Sequence, residues 1–165
     1  MYLGYDDSQC REHNIVVKGI VFKGKGLKVA CQQNVTIEGN KFIDITEGQA
    51  IAVVGKNINS VVKNNIIENV KAAQGIELRN TLTATVEGNT ISGTAHNSLQ
   101  ITSQVGATNS TATVLNNTLS DWGLGGEGRA MRISGGATVT INGNVMSHDN
   151  APEELAKVTD ATSLE

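Results

Sequence analysis

Val35-Thr36-Ile37-Glu38-Gly39-Asn40-Lys41-Phe42-Ile43 decides the fold, because versions of it return down the chain at intervals of one solenoid turn. Aligned on the Asn, the copies are Val61-Val62-Lys63-Asn64-Asn65-Ile66-Ile67, Thr85-Val86-Glu87-Gly88-Asn89-Thr90-Ile91, Thr113-Val114-Leu115-Asn116-Asn117-Thr118-Leu119 and Thr140-Ile141-Asn142-Gly143-Asn144-Val145-Met146. The anchors Asn40, Asn65, Asn89, Asn117 and Asn144 are 25, 24, 28 and 27 residues apart, a period that marks a stacked repeat. A degenerate copy, Val16 to Phe22, lies 20 residues upstream with Ile20 in the Asn place.

Each period holds three short strand patterns. The first alternates apolar residues with outward ones, as in Val35 and Ile37, and runs into Gly-Asn or Asn-Asn, residues that tolerate the positive φ of a tight bend. The second aligns Phe42, Ile67, Ile91, Leu119 and Met146 toward the core. The third, after a variable connection, aligns Leu27/Val29, Ile51/Val53, Ile76/Leu78, Leu99/Ile101 and Met131/Ile133, with the intervening residue pointing out.

Stacking coils about 4.8 Å apart places equivalent residues over one another, so charges along an outward row should alternate in sign. The row before the bend reads Lys18, Glu38, Lys63, Glu87, then Leu115 and Asn142. Its neighbour, Val16, Thr36, Val61, Thr85, Thr113 and Thr140, is wholly β-branched, as stacked strand residues prefer. The Asn row is expected to form a ladder of side-chain amides linking coil to coil.

This combination resembles the right-handed parallel β-helix of the pectin lyase-like superfamily (the polysaccharide lyase, epimerase and phage tailspike type). The resemblance covers residues 14–148 and implies an all-β chain of about six coils with three strands each. Left-handed β-helices want near-strict hexapeptides, and leucine-rich repeats a Leu-dominated pattern. Residues 1–13 read as an incoming partial coil. In 149–165, Pro152 at a helix start with Glu153 and Glu154 in its first turn predicts a short helix capping the last coil. The N-terminal end shows no such cap, so upstream coils or another chain are expected to cover it.

Composition narrows the partners. The formal net charge is −3 and no Lys/Arg block exists, which argues against nucleic acid. No apolar run approaches the length of a membrane span. Cys10 and Cys31, 21 residues apart and so close to one repeat, are expected on neighbouring coils, either as buried thiols or as a disulfide. No metal-ligand cluster or cofactor motif emerges, and Gly123 to Gly128 lacks the strand–helix context and Lys of a phosphate cradle.

The resemblance implies that a polysaccharide lies along the outside of the third strand's sheet, between flanking loops, in an extracellular, periplasmic or virion-surface setting. There the outward row reads Lys28, Ala52, Glu77, Gln100 and Arg132, with Arg79 two residues beyond Glu77. The loops lengthen at Ser103 to Ser110 and Ser120 to Gly128, the second holding the sole Trp. Glu77, Arg79 and Arg132 are the catalytic candidates for lyase or epimerase chemistry, which needs a base and a carboxylate-neutralising cation. Lys28, Gln100, Asp121, Trp122 and Glu127 are the substrate-binding candidates, with Trp122 offering a sugar platform or else folding onto its own loop as a lid. Glycoside hydrolysis would pair Glu77 with Asp121 or Glu127. The clustered acids of pectate lyases and polygalacturonases are absent, as is the Asp-Pro-His-type motif of alginate epimerases, so a non-catalytic structural or binding solenoid, such as part of a tailspike or adhesin, stands as the alternative.

Overall fold

The computed structural model describes residues 1–4, 11–103, 110–149, 156–159 and 163–164. They form an all-β parallel solenoid of about five turns, one fewer than the six expected; the degenerate copy around Ile20 opens the stack. Every strand pairing among the described residues is parallel.

The first face is a 7-stranded sheet running from Arg11–Lys18 through Gln32–Glu38, Ser60–Lys63, Thr83–Glu87, Ser110–Leu115 and Ala137–Asn142 to Ser163–Leu164. The second and third faces belong to one 11-stranded sheet, because Val21–Ala30 and Lys41–Val54 run unbroken round the corner between them. Gly24 and Gly48, at φ 79° and 68°, let those two strands turn. Later coils break the strand at that corner.

The inward stacks follow the repeat alignment. Val17, Ile37, Val62, Val86, Val114 and Ile141 align on the first face, and Phe22, Phe42, Ile67, Ile91, Leu119 and Met146 on the second. On the third, Leu27, Ile51, Ile76, Leu99 and Met131 align beside Val29, Val53, Leu78, Ile101 and Ile133. Most are fully buried in one continuous core, in which the rings of Phe22 and Phe42 stack with centroids 4.6 Å apart.

Positive φ falls on the residue before each ladder Asn, Gly39, Asn64, Gly88, Asn116 and Gly143, and on Gly19 before Ile20. That bend turns the next side chain into the core. Asn40 Nδ2 donates to Asn65 Oδ1 at 3.0 Å, Asn65 to Asn89 at 3.0 Å, Asn89 to Asn117 at 2.9 Å and Asn117 to Asn144 at 2.9 Å. Each Oδ1 also accepts the backbone N–H of the residue below it in the ladder, and each Nδ2 bonds a strand carbonyl such as Val17 O or Val62 O. At Ile20 only the backbone half survives, its N–H donating to Asn40 Oδ1 at 3.0 Å. On the charged row Glu38 bridges Lys18 at 3.5 Å and Lys63 at 3.7 Å.

Two expectations change. The described part of the segment given as a capping helix, Ala156–Thr159, is a strand that pairs with Met131–Ser134 and extends the third face; no helix occurs among the described residues, and Pro152, Glu153 and Glu154 lie outside them. Repeating the strand register satisfies the open edge of Met131–Ser134, which a short helix with four unpaired N–H groups would not. The second change is at Cys31, which is disulfide-bonded rather than a buried thiol; the sequence's other cysteine, Cys10, lies outside the described residues.

Candidate functional site

The outward row of the third face is in the register expected, Lys28 beside Ala52, Glu77, Gln100 and Arg132 on successive strands. Its members meet different surroundings. An open cavity of about 360 Å³ lies over the fourth and fifth coils, lined by Gln74, His96, Asn97, Gln100, Glu127, Gly128, Arg129 and Arg132. Gln100, Glu127 and Arg132 of the sequence candidates therefore come together. Gln104 to Asn109 of the other lengthened loop lie outside the described residues.

One wall is built by backbone. The loop after Ser120 lies against the preceding coil's connection, with Gly123 N–H donating to His96 O, Leu124 N–H to Thr94 O and Gly125 N–H to Ala95 O, all at 3.0 Å. Gly128 closes it, because a Cβ there would sit 2.6 Å from His96 O and from Gly123 Cα. His96 Nδ1 meets Glu127 O at 3.3 Å, which places an exposed imidazole at the rim. The Arg129 backbone N–H donates to Asn97 Oδ1 at 3.0 Å and its guanidinium to Gly128 O at 2.8 Å.

The floor is a set of amides. Gln100 Oε1 accepts from Gln74 Nε2 at 3.0 Å and from Asn97 Nδ2 at 2.8 Å. Gln74 Oε1 accepts from Gln49 Nε2 at 3.4 Å, and Gln49 Nε2 also donates to Glu77 Oε2 at 2.9 Å. Arg132 is exposed, two strands above Glu77 and so about 10 Å from it. Among the described residues, with Arg129 and Arg132 against Glu127 and His96 counted neutral, the ionisable lining carries +2 −1 = +1.

The remaining candidates lie elsewhere. Glu77 is 5% exposed and sits beside the amides without lining the cavity. Arg79 is exposed but outside the lining, between Val54 and Thr102 in register. Lys28 is three strands from Gln100, its ammonium 5.3 Å from the Tyr2 ring centroid, beside a second cavity of about 280 Å³. There the Glu47 carboxylate, hydrogen-bonded to Lys25 at 2.9 Å, raises the Lys25 pKa above its ordinary value. Asp121 takes φ 50° at the corner between the second and third faces, in line with Asp44, Asn69 and Gly93.

Trp122 is a correction. It is 1% exposed and belongs to the core, with the His148 ring edge-on at 4.9 Å and His148 Nε2 2.9 Å from Trp122 O, so it offers no face to a sugar. The lid alternative describes it better. Burying an aromatic's large apolar area outweighs leaving its indole N–H, which has no hydrogen-bond partner, in water.

Gln74, Asn97 and Arg129 are lining residues that the sequence analysis did not select. With Gln49 they occupy one column of the repeat, each immediately before the buried residues Ala50, Gly75, Ser98 and Ala130. That polar column was readable had the alignment been extended one residue upstream of each third strand. Among the described residues no group of three or more His, Cys, Asp or Glu could hold a metal ion, and no helix is long and apolar enough to cross a membrane.

The solenoid, the inward stacks and the Asn ladder together define a class, and the family comparison agrees: the model of the right handed beta helix region matches residues 4–153. The chain belongs to the right-handed β-helix family. No curated protein matches it.

Proposed function

We propose that the cavity over the fourth and fifth coils binds a segment of an anionic polysaccharide, and that this is a binding role rather than a catalytic one. The observation carrying this reading is the convergence in one open cavity of two arginines, an imidazole and three side-chain amides. Planar guanidinium and amide groups bind carboxylates, sulfates and hydroxyls in pairs of hydrogen bonds, and a net positive lining favours an acidic chain. A rigid sheet floor lowers the ordering cost of binding. Non-catalytic binding is favoured by the dispersal of the catalytic candidates: Glu77 is buried off the cavity, Arg79 lies outside its lining, and among the described residues Glu127 stands without a second carboxylate in it. The bonded Cys31 supports an oxidising, extracellular, periplasmic or virion-surface setting.

The test is calorimetric titration with an α-1,4-linked galacturonate oligomer and its carboxyl-reduced neutral counterpart, at low and raised salt. Binding of the acidic oligomer is expected, weakened by salt and lowered roughly 10- to 100-fold by Arg132→Ala, the loss of one or two charge-assisted hydrogen bonds. Absence of binding across acidic oligomers, sulfated ones included, overturns the reading. Formation of an unsaturated product absorbing in the ultraviolet overturns its non-catalytic part.

A further inference from the structure

Glu77 is a buried carboxylate on the outside of the solenoid, and neither the core nor the cavity lining uses it. Its hydrogen bond to Gln49 begins a chain of side-chain amides that climbs the third face. Gln49 Nε2 donates both to Glu77 Oε2 at 2.9 Å and to Gln74 Oε1 at 3.4 Å; Gln74 Nε2 donates to Gln100 Oε1 at 3.0 Å; Gln100 Nε2 reaches Thr102 Oγ1 at 3.4 Å. Gln49 and Gln74 each present their nitrogen to the coil after, and Gln74 and Gln100 each present their oxygen to the coil before. A primary amide can be turned end for end without change of shape, so something must choose this direction. An ionised carboxylate only accepts. Beside Glu77, Gln49 must present N–H₂; Gln74 must then present oxygen to it and nitrogen onward, and Gln100 oxygen to that.

We infer that Glu77 is a specificity-determining residue that acts through this relay: it fixes the direction of the Gln49–Gln74–Gln100 amides and so keeps N–H groups turned toward the cavity floor. The consequence at the floor is concrete. Gln100 Oε1 already accepts two hydrogen bonds, Asn97 Oδ1 accepts the Arg129 N–H, and Gln74 Oε1 accepts from Gln49. Each of the three amide nitrogens uses one of its two hydrogens in these bonds, and the other is left for a ligand. Gln100, its oxygen saturated, offers donors alone, while Gln74 and Asn97 each keep one acceptor lone pair beside a free hydrogen; with Arg129 and Arg132 the balance favours carboxylate or sulfate oxygens, which only accept, over hydroxyls, which must also donate. Asn97 meets the upper end in the same sense, donating to Gln100 Oε1 while its own Oδ1 accepts the Arg129 backbone N–H, so Glu77 is what holds Gln49 and Gln74 in line with it. Reversing it would set oxygen against oxygen at Glu77 and nitrogen against nitrogen at Asn97.

This inference deepens the proposed glycan binding and rests on it for its ligand, but the relay has a readout of its own. The side-chain amide resonances of Gln49, Gln74 and Gln100 are followed by ¹⁵N NMR in the full chain, with two variants. Glu77→Gln keeps the bulk and lifts the acceptor-only constraint. Gln49→Met cuts the first link at a half-buried site and leaves the buried carboxylate's own side chain in place, so it serves if Glu77→Gln fails to fold. The relay predicts that either change moves the Gln74 and Gln100 side-chain resonances and lowers the preference for the galacturonate oligomer over its neutral counterpart by about tenfold, chiefly by improving binding of the neutral one. Movement confined to Gln49, or an unchanged preference in a protein that binds the acidic oligomer, overturns the inference while the glycan reading stands. If the wild-type chain binds neither oligomer, the glycan reading falls with the selectivity claimed here, and the resonances alone decide whether Glu77 directs the relay.

Discussion

The Asn ladder makes the sharpest quantitative prediction, because its rungs are chemically equal but unequally buried. Asn89 is 1% exposed; Asn144 ends the ladder and is only half-buried. Asn89→Ala removes the Oδ1 that accepts the Asn65 backbone N–H and the Nδ2 that donates to Val62 O. Its neighbours are partly compensated, since Asn65 Nδ2 keeps Ile37 O and Lys63 O, and Asn117 Oδ1 keeps the Asn89 backbone N–H. The buried Asn65 N–H is therefore left without a partner, at about 1–3 kcal/mol, and the strand carbonyl of Val62 loses one hydrogen bond, at about 0.5–1.5 kcal/mol, giving about 1.5–4.5 kcal/mol in all. Asn144→Ala removes the same kinds of bond, to the Asn117 N–H and Val114 O, where water can replace them, so its cost should be about 0.5–1.5 kcal/mol. Urea unfolding followed by far-UV circular dichroism and by Trp122 fluorescence measures both, and coincidence of the two probes tests that the stack unfolds as one unit rather than from an end. A cost for Asn89→Ala under about 0.5 kcal/mol, or equal costs for the two variants, would refute the assignment of the ladder as the element that satisfies the bend's backbone.

Leu99 is fully buried between Ile76 and Met131, so Leu99→Ala should destabilise by about 2–5 kcal/mol in the same urea assay, and a cost near zero would remove it from the core. With Cys31 bonded, thiol titration of the denatured, unreduced protein should find no free thiol; Cys31→Ser or reduction should lower stability by about 2–5 kcal/mol, and two titratable thiols would sink the assignment.

The fold was legible because it is enforced by repetition. A side chain in a parallel stack has its own equivalents as neighbours, so the row Lys18, Glu38, Lys63 carries its pairing rule in the sequence, and Glu38 bridges both lysines in space. The bend is equally local: positive φ needs Gly or Asn, and the Asn after it needs only its own coil and the next. The chain's last strands obey the same logic less visibly. Pro152 and the acids after it follow helix-start rules, but the free edge of Met131–Ser134 is a feature of the assembled stack, and it draws Ala156–Thr159 into a strand instead. Local propensity loses there to a ladder of backbone hydrogen bonds that no short window of sequence contains.

The site was legible only where it is part of the repeat. Gln100 and Arg132 follow from alternation on the third strand, whereas Trp122 sits in a loop that has no counterpart on other coils, and its inward turn depends on the backbone pairing of Gly123 to Gly125 with Thr94 to His96. Glu77 shows why register without burial is insufficient. It stands in the outward row as expected, yet Gln49, a residue from the preceding coil's corner, reaches its carboxylate and shields it. An outward position on a solenoid thus becomes a surface position only where its neighbours are short or turned away. At Arg132 that condition holds, and the guanidinium is exposed at the cavity; at Glu77 it fails, and what the carboxylate can influence there is the direction of the amides beside it rather than a substrate.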